Sequence, residues 1–98
     1  MTISTWTPLR QQISSITNAN PGVVTTVSSH GYSNGLYIRF VYPQVFGMVE
    51  VINNVYLITV LSPTTFSINQ DTTNFGVFNA AASTTQTPQI IQIGRAHV

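Results

Sequence analysis

Ninety-eight residues, 43% hydrophobic and only 5% charged with a formal net charge of +1, allow one domain with a modest core and leave no room for a second. The lack of cysteine excludes a disulfide, a thiolate nucleophile and a cysteine-ligated zinc. So little charge also denies nucleic acid or an acidic membrane surface a footing, and solubility rests on neutral Thr, Ser, Asn and Gln, a surface suited to burial against neighbouring subunits.

Residues 1–12 are read as an N-terminal arm. Met1-Thr2-Ile3-Ser4-Thr5-Trp6 has neither the basic start nor the apolar run of an export or membrane-spanning segment, so synthesis in the cytoplasm is expected. Thr7-Pro8 can start a helical turn with Leu9 and Ile13 on one side, or the arm can be extended. Trp6, the only tryptophan, is expected either to fold back over an open end of the domain or to dock on a neighbouring subunit.

Residues 13–70 carry the organised pattern. Strands are predicted over residues 13–18 and 23–28, joined by Ala19-Asn20-Pro21-Gly22, where Pro21 restricts its own φ and Gly22 is free to take a positive one. Leu36, Ile38 and Phe40 alternate with Tyr37, Arg39 and Val41, a period of two that puts the first set on one face of a third strand; Pro43 ends it. Residues 47–52 are predicted to turn at Asn53-Asn54 into a strand over residues 55–61, with Arg39 and Glu50 placed for a cross-strand ion pair. Residues 64–69 follow a Ser62-Pro63 turn. Both faces of some strands are apolar, so one set must meet solvent, the terminal segments or a partner. The expectation is an all-β protein, a small antiparallel barrel of five or six short strands with extended N- and C-terminal segments.

Residues 71–92 read as a C-terminal extension in which Phe75 and Phe78 pack back on the barrel, Ala80-Ala81-Ala82-Ser83-Thr84-Thr85 is linker-like, and Ile90-Ile91 begins a strand. Ile93-Gly94-Arg95-Ala96-His97-Val98 matches the translation of a common short-read sequencing adapter. That match implies a reading frame cut near Gln92, a metagenomic fragment whose remaining charges, Arg10, Arg39, Glu50 and Asp71, sum to zero.

Chemistry-bearing residues are sparse. His30, before Gly31 in a turn, has only Glu50, Asp71 and interchangeable hydroxyls to work with; no catalytic, cofactor or metal constellation is visible, and a turn histidine bonding backbone groups is expected. Gly31 and Gly35 lie four apart without a following lysine, which excludes a phosphate loop. The tyrosines can stack on sugars. Trp6, Tyr32, Tyr37, Tyr42, Phe75 and Phe78 are the candidate interface residues.

The order Ala19, Pro21, Val24, His30-Gly31, Gly35, Gly47-Met48, Glu50, Tyr56, Val60 and Thr65-Phe66 resembles the β-barrel module of many phage structural proteins, named after the first catalytic cysteine half-domain (FCCH) of ubiquitin-activating enzymes. The likeness covers somewhat over half the chain. It departs where the family usually has Asn-Gly after the glutamate and this chain has Ile52-Asn53-Asn54, which implies a turn shifted by one residue. The resemblance implies no ubiquitin chemistry, since that half-domain is non-catalytic and no cysteine is present to form a thioester. It implies a virion setting. The expected function is a non-enzymatic tail, fibre or head-associated component in a multi-copy or homo-oligomeric assembly with other virion proteins, with no cofactor, nucleic acid or membrane; the alternative is a glycan-binding or adhesion module using Tyr32, Tyr37 and Tyr42.

Overall fold

The computed structural model describes residues 10–95, so Trp6 lies outside the described residues. Six strands, β1 (Arg10–Ile16), β2 (Val23–Thr26), β3 (Leu36–Val41), β4 (Val55–Ser62), β5 (Thr65–Ile68) and β6 (Gln89–Arg95), join in the order β1-β2-β5-β4-β3-β6. Each pairs antiparallel with its neighbours, and β6 returns to β1 to close a barrel. Closure gives every strand a neighbour on both sides.

The period of two sets the interior. Leu36, Ile38, Phe40, Ile58 and Phe66 share one buried cluster with Ile13, Val24, Ile68 and Ile90, as the alternation predicts. Two inward residues of β1, Ile13 and Ile16, stand three apart, which a regular strand would send to opposite faces; an irregular register between Ile13 and Ser15 absorbs the extra residue. A second irregularity between Val60 and Ser62 leaves Leu61 outside, 57% exposed.

Four local expectations are corrected. Residues 47–52 form no strand: Gly47 at φ +82 and Met48 at φ 40 break the extended path, and single 3-10 turns over Gln44–Phe46 and Val49–Val51 carry the chain across the barrel end. β4 therefore pairs with β3 and β5. The predicted Arg39–Glu50 pair has no strand to form on, and Glu50 turns to a loop instead. Gly22 is absent from the positive-φ glycines; the reversal uses a cis Asn20–Pro21 peptide, and Gly22 matters because a Cβ there would sit 2.8 Å from the Thr72 side chain. The barrel also extends past the expected boundaries at 13 and 70. β1 begins at Arg10, and β6 is the stave between β1 and β3, so residues 71–88 are the crossover feeding it. Residues 93–95, within the adapter match, lie in that strand.

The two outer walls differ in chemistry. Across β1, β2 and β5 a row of hydroxyls runs Ser15, Thr25, Thr65 in register. Across β4, β3 and β6 the outward positions are Val55 and Leu57, then Tyr37, Arg39 and Val41, then Gln89 and Ile91, with Ile93 42% exposed further along β6. Threonine supplies the β-branched shape a strand favours without an apolar surface. The second wall has no such economy.

Candidate functional site

His30 is the first place to look for chemistry. It is 2% exposed, and its ring sits between backbone groups: Nδ1 accepts the Tyr32 N–H at 2.9 Å, and Nε2 donates to the Ser62 carbonyl at 2.8 Å, with the Thr65 carbonyl at 3.3 Å. That pattern assigns the proton to Nε2. The Tyr32 ring stacks on it at 5.4 Å and Phe66 meets it edge-on at 5.6 Å. Both ring nitrogens are engaged by backbone, so the imidazole pins the 30–32 turn to the β4–β5 hairpin and has no nitrogen turned to a substrate.

At the other end of the barrel Thr72, fully buried, does the same for the 17–22 reversal. Its hydroxyl donates to the Thr17 carbonyl at 2.6 Å and accepts the Ala19 N–H at 3.1 Å, while Asn18 Nδ2 reaches back to the carbonyls of Thr72 and Phe75, both at 3.0 Å. Neither residue stands out in the sequence, because a lone Thr or Asn in a polar run carries no periodic signal.

A third cluster closes the end near Pro43. Both Glu50 carboxylate oxygens lie 3.1 Å from the Gly76 N–H, and the Phe46 carbonyl accepts from Asn79 N–H at 2.7 Å. Gly47 packs so closely on the crossover that a Cβ would lie 2.0 Å from the Val77 carbonyl oxygen. The Tyr42 hydroxyl donates to the Met48 carbonyl at 2.7 Å. Burial first, and Glu50 second, push the Tyr42 phenol well above its ordinary value, and burial does the same for Tyr32.

These placements correct the candidate interface. Tyr32 is 6% exposed, Tyr42 5% and Phe78 8%; Tyr42 and Phe78 are in ring contact at 5.3 Å, with Phe46 on both. They are core. Phe75 is half-buried against the same cluster. Of the three tyrosines only Tyr37 is half-exposed, on an outer wall, so Tyr32, Tyr37 and Tyr42 do not form a common stacking platform for a sugar.

Among the described residues no group of three or more His, Cys, Asp or Glu is placed to hold a metal. A concavity of about 430 Å³ lies between the end of β3 and the segment before β6, lined by Val41, Tyr42, Pro43, Ile52, Asn53 and Thr87 among others. It contains no acid, histidine or cation.

The motif positions thus have architectural duties: His30 pins a turn, Gly35 and Gly47 take positive φ, Glu50 holds the crossover. Residues 19–87 match the family model described as the ubiquitin-activating enzyme E1 FCCH domain. The chain belongs to this family. The FCCH barrel is 45% identical over 71 residues to human ubiquitin-like modifier-activating enzyme 1, a match covering 69% of this chain and 6% of that protein. To mouse ubiquitin-like modifier-activating enzyme 6 it is 42% identical over 62 residues, covering 61% of this chain and 6% of that one. What it shares with them is a small piece of a large enzyme. The matched residues span β2 to β5; β1 and β6, which close the FCCH barrel against each other, flank the match.

Proposed function

We propose that the FCCH barrel is a non-enzymatic structural component of a phage particle and works by protein–protein contact in a multi-copy assembly with other virion proteins. The observation that carries the contact role is a division of labour among side chains. The polar groups a reaction would recruit, His30, Thr72, Glu50 and the Tyr42 hydroxyl, are spent on backbone hydrogen bonds, whereas Val45, Val49, Leu61 and Val77 stand 48–75% exposed. A surface with almost no charge and many uncovered apolar side chains gains by association, at roughly 25 cal/mol for each Å² of apolar area removed from water. The virion setting is supported by the sequence resemblance to barrel modules of phage structural proteins. Mass spectrometry of density-purified particles tests it: the protein should appear at a stoichiometry of several copies per particle, and its absence from intact particles would remove the assignment.

A further inference from the structure

We propose, building on that contact role, that the outer wall of β4, β3 and β6 docks a different protein, one that presents an apolar surface with a carboxylate set opposite Arg39. Leu36, Ile38, Phe40, Ile58 and Ile90 point into the core, so the residues between them face outward. Arg39 lies in register between Val55 on one side and Ile91 on the other, and Tyr37 lies beside Leu57. The wall is therefore a largely apolar stripe with exposed Arg39 at its centre; in the same row beyond Ile91 lies Arg10 of β1, which donates to Gln89 Oε1 at 2.7 Å. In water the Arg39 guanidinium needs no partner. Once a protein covers the stripe, Arg39 is covered with it, and a desolvated charge without a counter-charge costs more than the surrounding apolar contacts return.

The chain has no carboxylate to spare for that position. Its two acidic side chains are Glu50 and Asp71. Glu50 accepts the Gly76 N–H, and Asp71 accepts both the N–H and the hydroxyl of Thr73. A second copy placed across a two-fold axis on this wall would set Arg39 against Arg39, a like-charge contact that disfavours self-pairing. The complement is a heterologous face with its own Asp or Glu. Because the sheet is closed, the partner cannot add a strand to an edge and must lie across the face. At the Pro43 end the stripe runs into the 430 Å³ groove, with Val41 common to both, a continuation that seats an anchoring side chain from the same partner.

Selection from a yeast-displayed random peptide library on the purified chain tests the proposal. Enriched peptides should combine apolar residues with Asp or Glu. Arg39→Ala should weaken their binding at least about tenfold, Arg39→Glu should move the enrichment to Lys and Arg, and Ser15→Asp on the opposite wall should leave binding unchanged. Enrichment of peptides without acids, binding indifferent to Arg39→Ala, no enrichment at all, or a dimer in sedimentation equilibrium that Leu57→Asp dissociates would each overturn it. Particle mass spectrometry reads the virion assignment separately: failed selection on a protein present in particles removes this docking face alone, and successful selection on a protein absent from particles removes the virion assignment alone.

Discussion

The loops that close the barrel ends and the wall formed by β4, β3 and β6 treat their side chains in opposite ways. At the ends, a buried imidazole, a buried threonine and a surface glutamate each satisfy backbone groups of segments far away in sequence, His30 with Ser62, Thr72 with Thr17, Glu50 with Gly76. On the wall, Tyr37, Val55, Leu57 and Ile91 surround Arg39 with no acidic residue of this chain in register beside it. Much of the family motif falls on the ends, from Ala19 and Pro21 to His30-Gly31, Gly35, Gly47-Met48 and Glu50, and the rest lies in β2, β4 and β5. The end residues hold backbone in place, so the likeness to activating enzymes speaks of how the chain folds, and the contact chemistry has to be sought elsewhere on the surface.

If that contrast is right, substitutions at the ends cost stability and substitutions on the wall do not. The largest loss should come from Gly47→Ala, which puts a Cβ 2.0 Å from a backbone oxygen at φ +82; about 4 kcal/mol or more is expected, seen as a chain that unfolds at low urea or fails to fold. A wild-type urea midpoint for this variant would mean the crossover does not pack on the 44–51 turns as described.

His30→Ala should cost about 2–3 kcal/mol, since it orphans the Tyr32 N–H and the Ser62 carbonyl and opens a void beside Phe66. His30→Gln, which can keep one bond, should recover part of it.

A smaller effect appears at high pH. Tyr32 and Tyr42 have folded pKa values raised above their ordinary 10.0 by burial, so their stabilisation is complete below pH 10 and is lost as pH rises from there towards the folded values, where the unfolded chain has released protons that the folded one keeps. Thermal melts should fall above pH 10, and Tyr32→Phe should flatten that fall.

The smallest change belongs to the wall. Arg39→Ala and Leu57→Ser should shift stability by no more than about 0.5 kcal/mol. A loss of several kcal/mol at either would show that the stripe is structural.

How much of this was legible in the sequence follows from how local each signal is. β3 is plain, because Leu36, Ile38 and Phe40 alternate without interruption; the same alternation carried to Tyr42 places inside a ring counted among the sugar-stacking candidates. The 47–52 segment misled, since Met48, Glu50 and Ile52 imitate a strand while Gly47 and Met48 turn the backbone away. β6 was only half visible: Ile90-Ile91 announces a strand, but its place between β1 and β3 depends on partners some 80 and 50 positions earlier, Gln11 and Phe40 for Ile90. Thr72 was invisible because its importance lies wholly in the distant Thr17 and Ala19. Arg39 was legible as an outward residue, and its isolation became apparent only when both acids were found occupied elsewhere.

Site-specific photocrosslinking inside purified particles addresses the contact role most directly. With a benzophenone side chain at position 57, the account predicts a covalent product with a different particle protein, and none when the same group replaces exposed Ser15 on the hydroxyl wall. No product from position 57, or equal products from both walls, would contradict it.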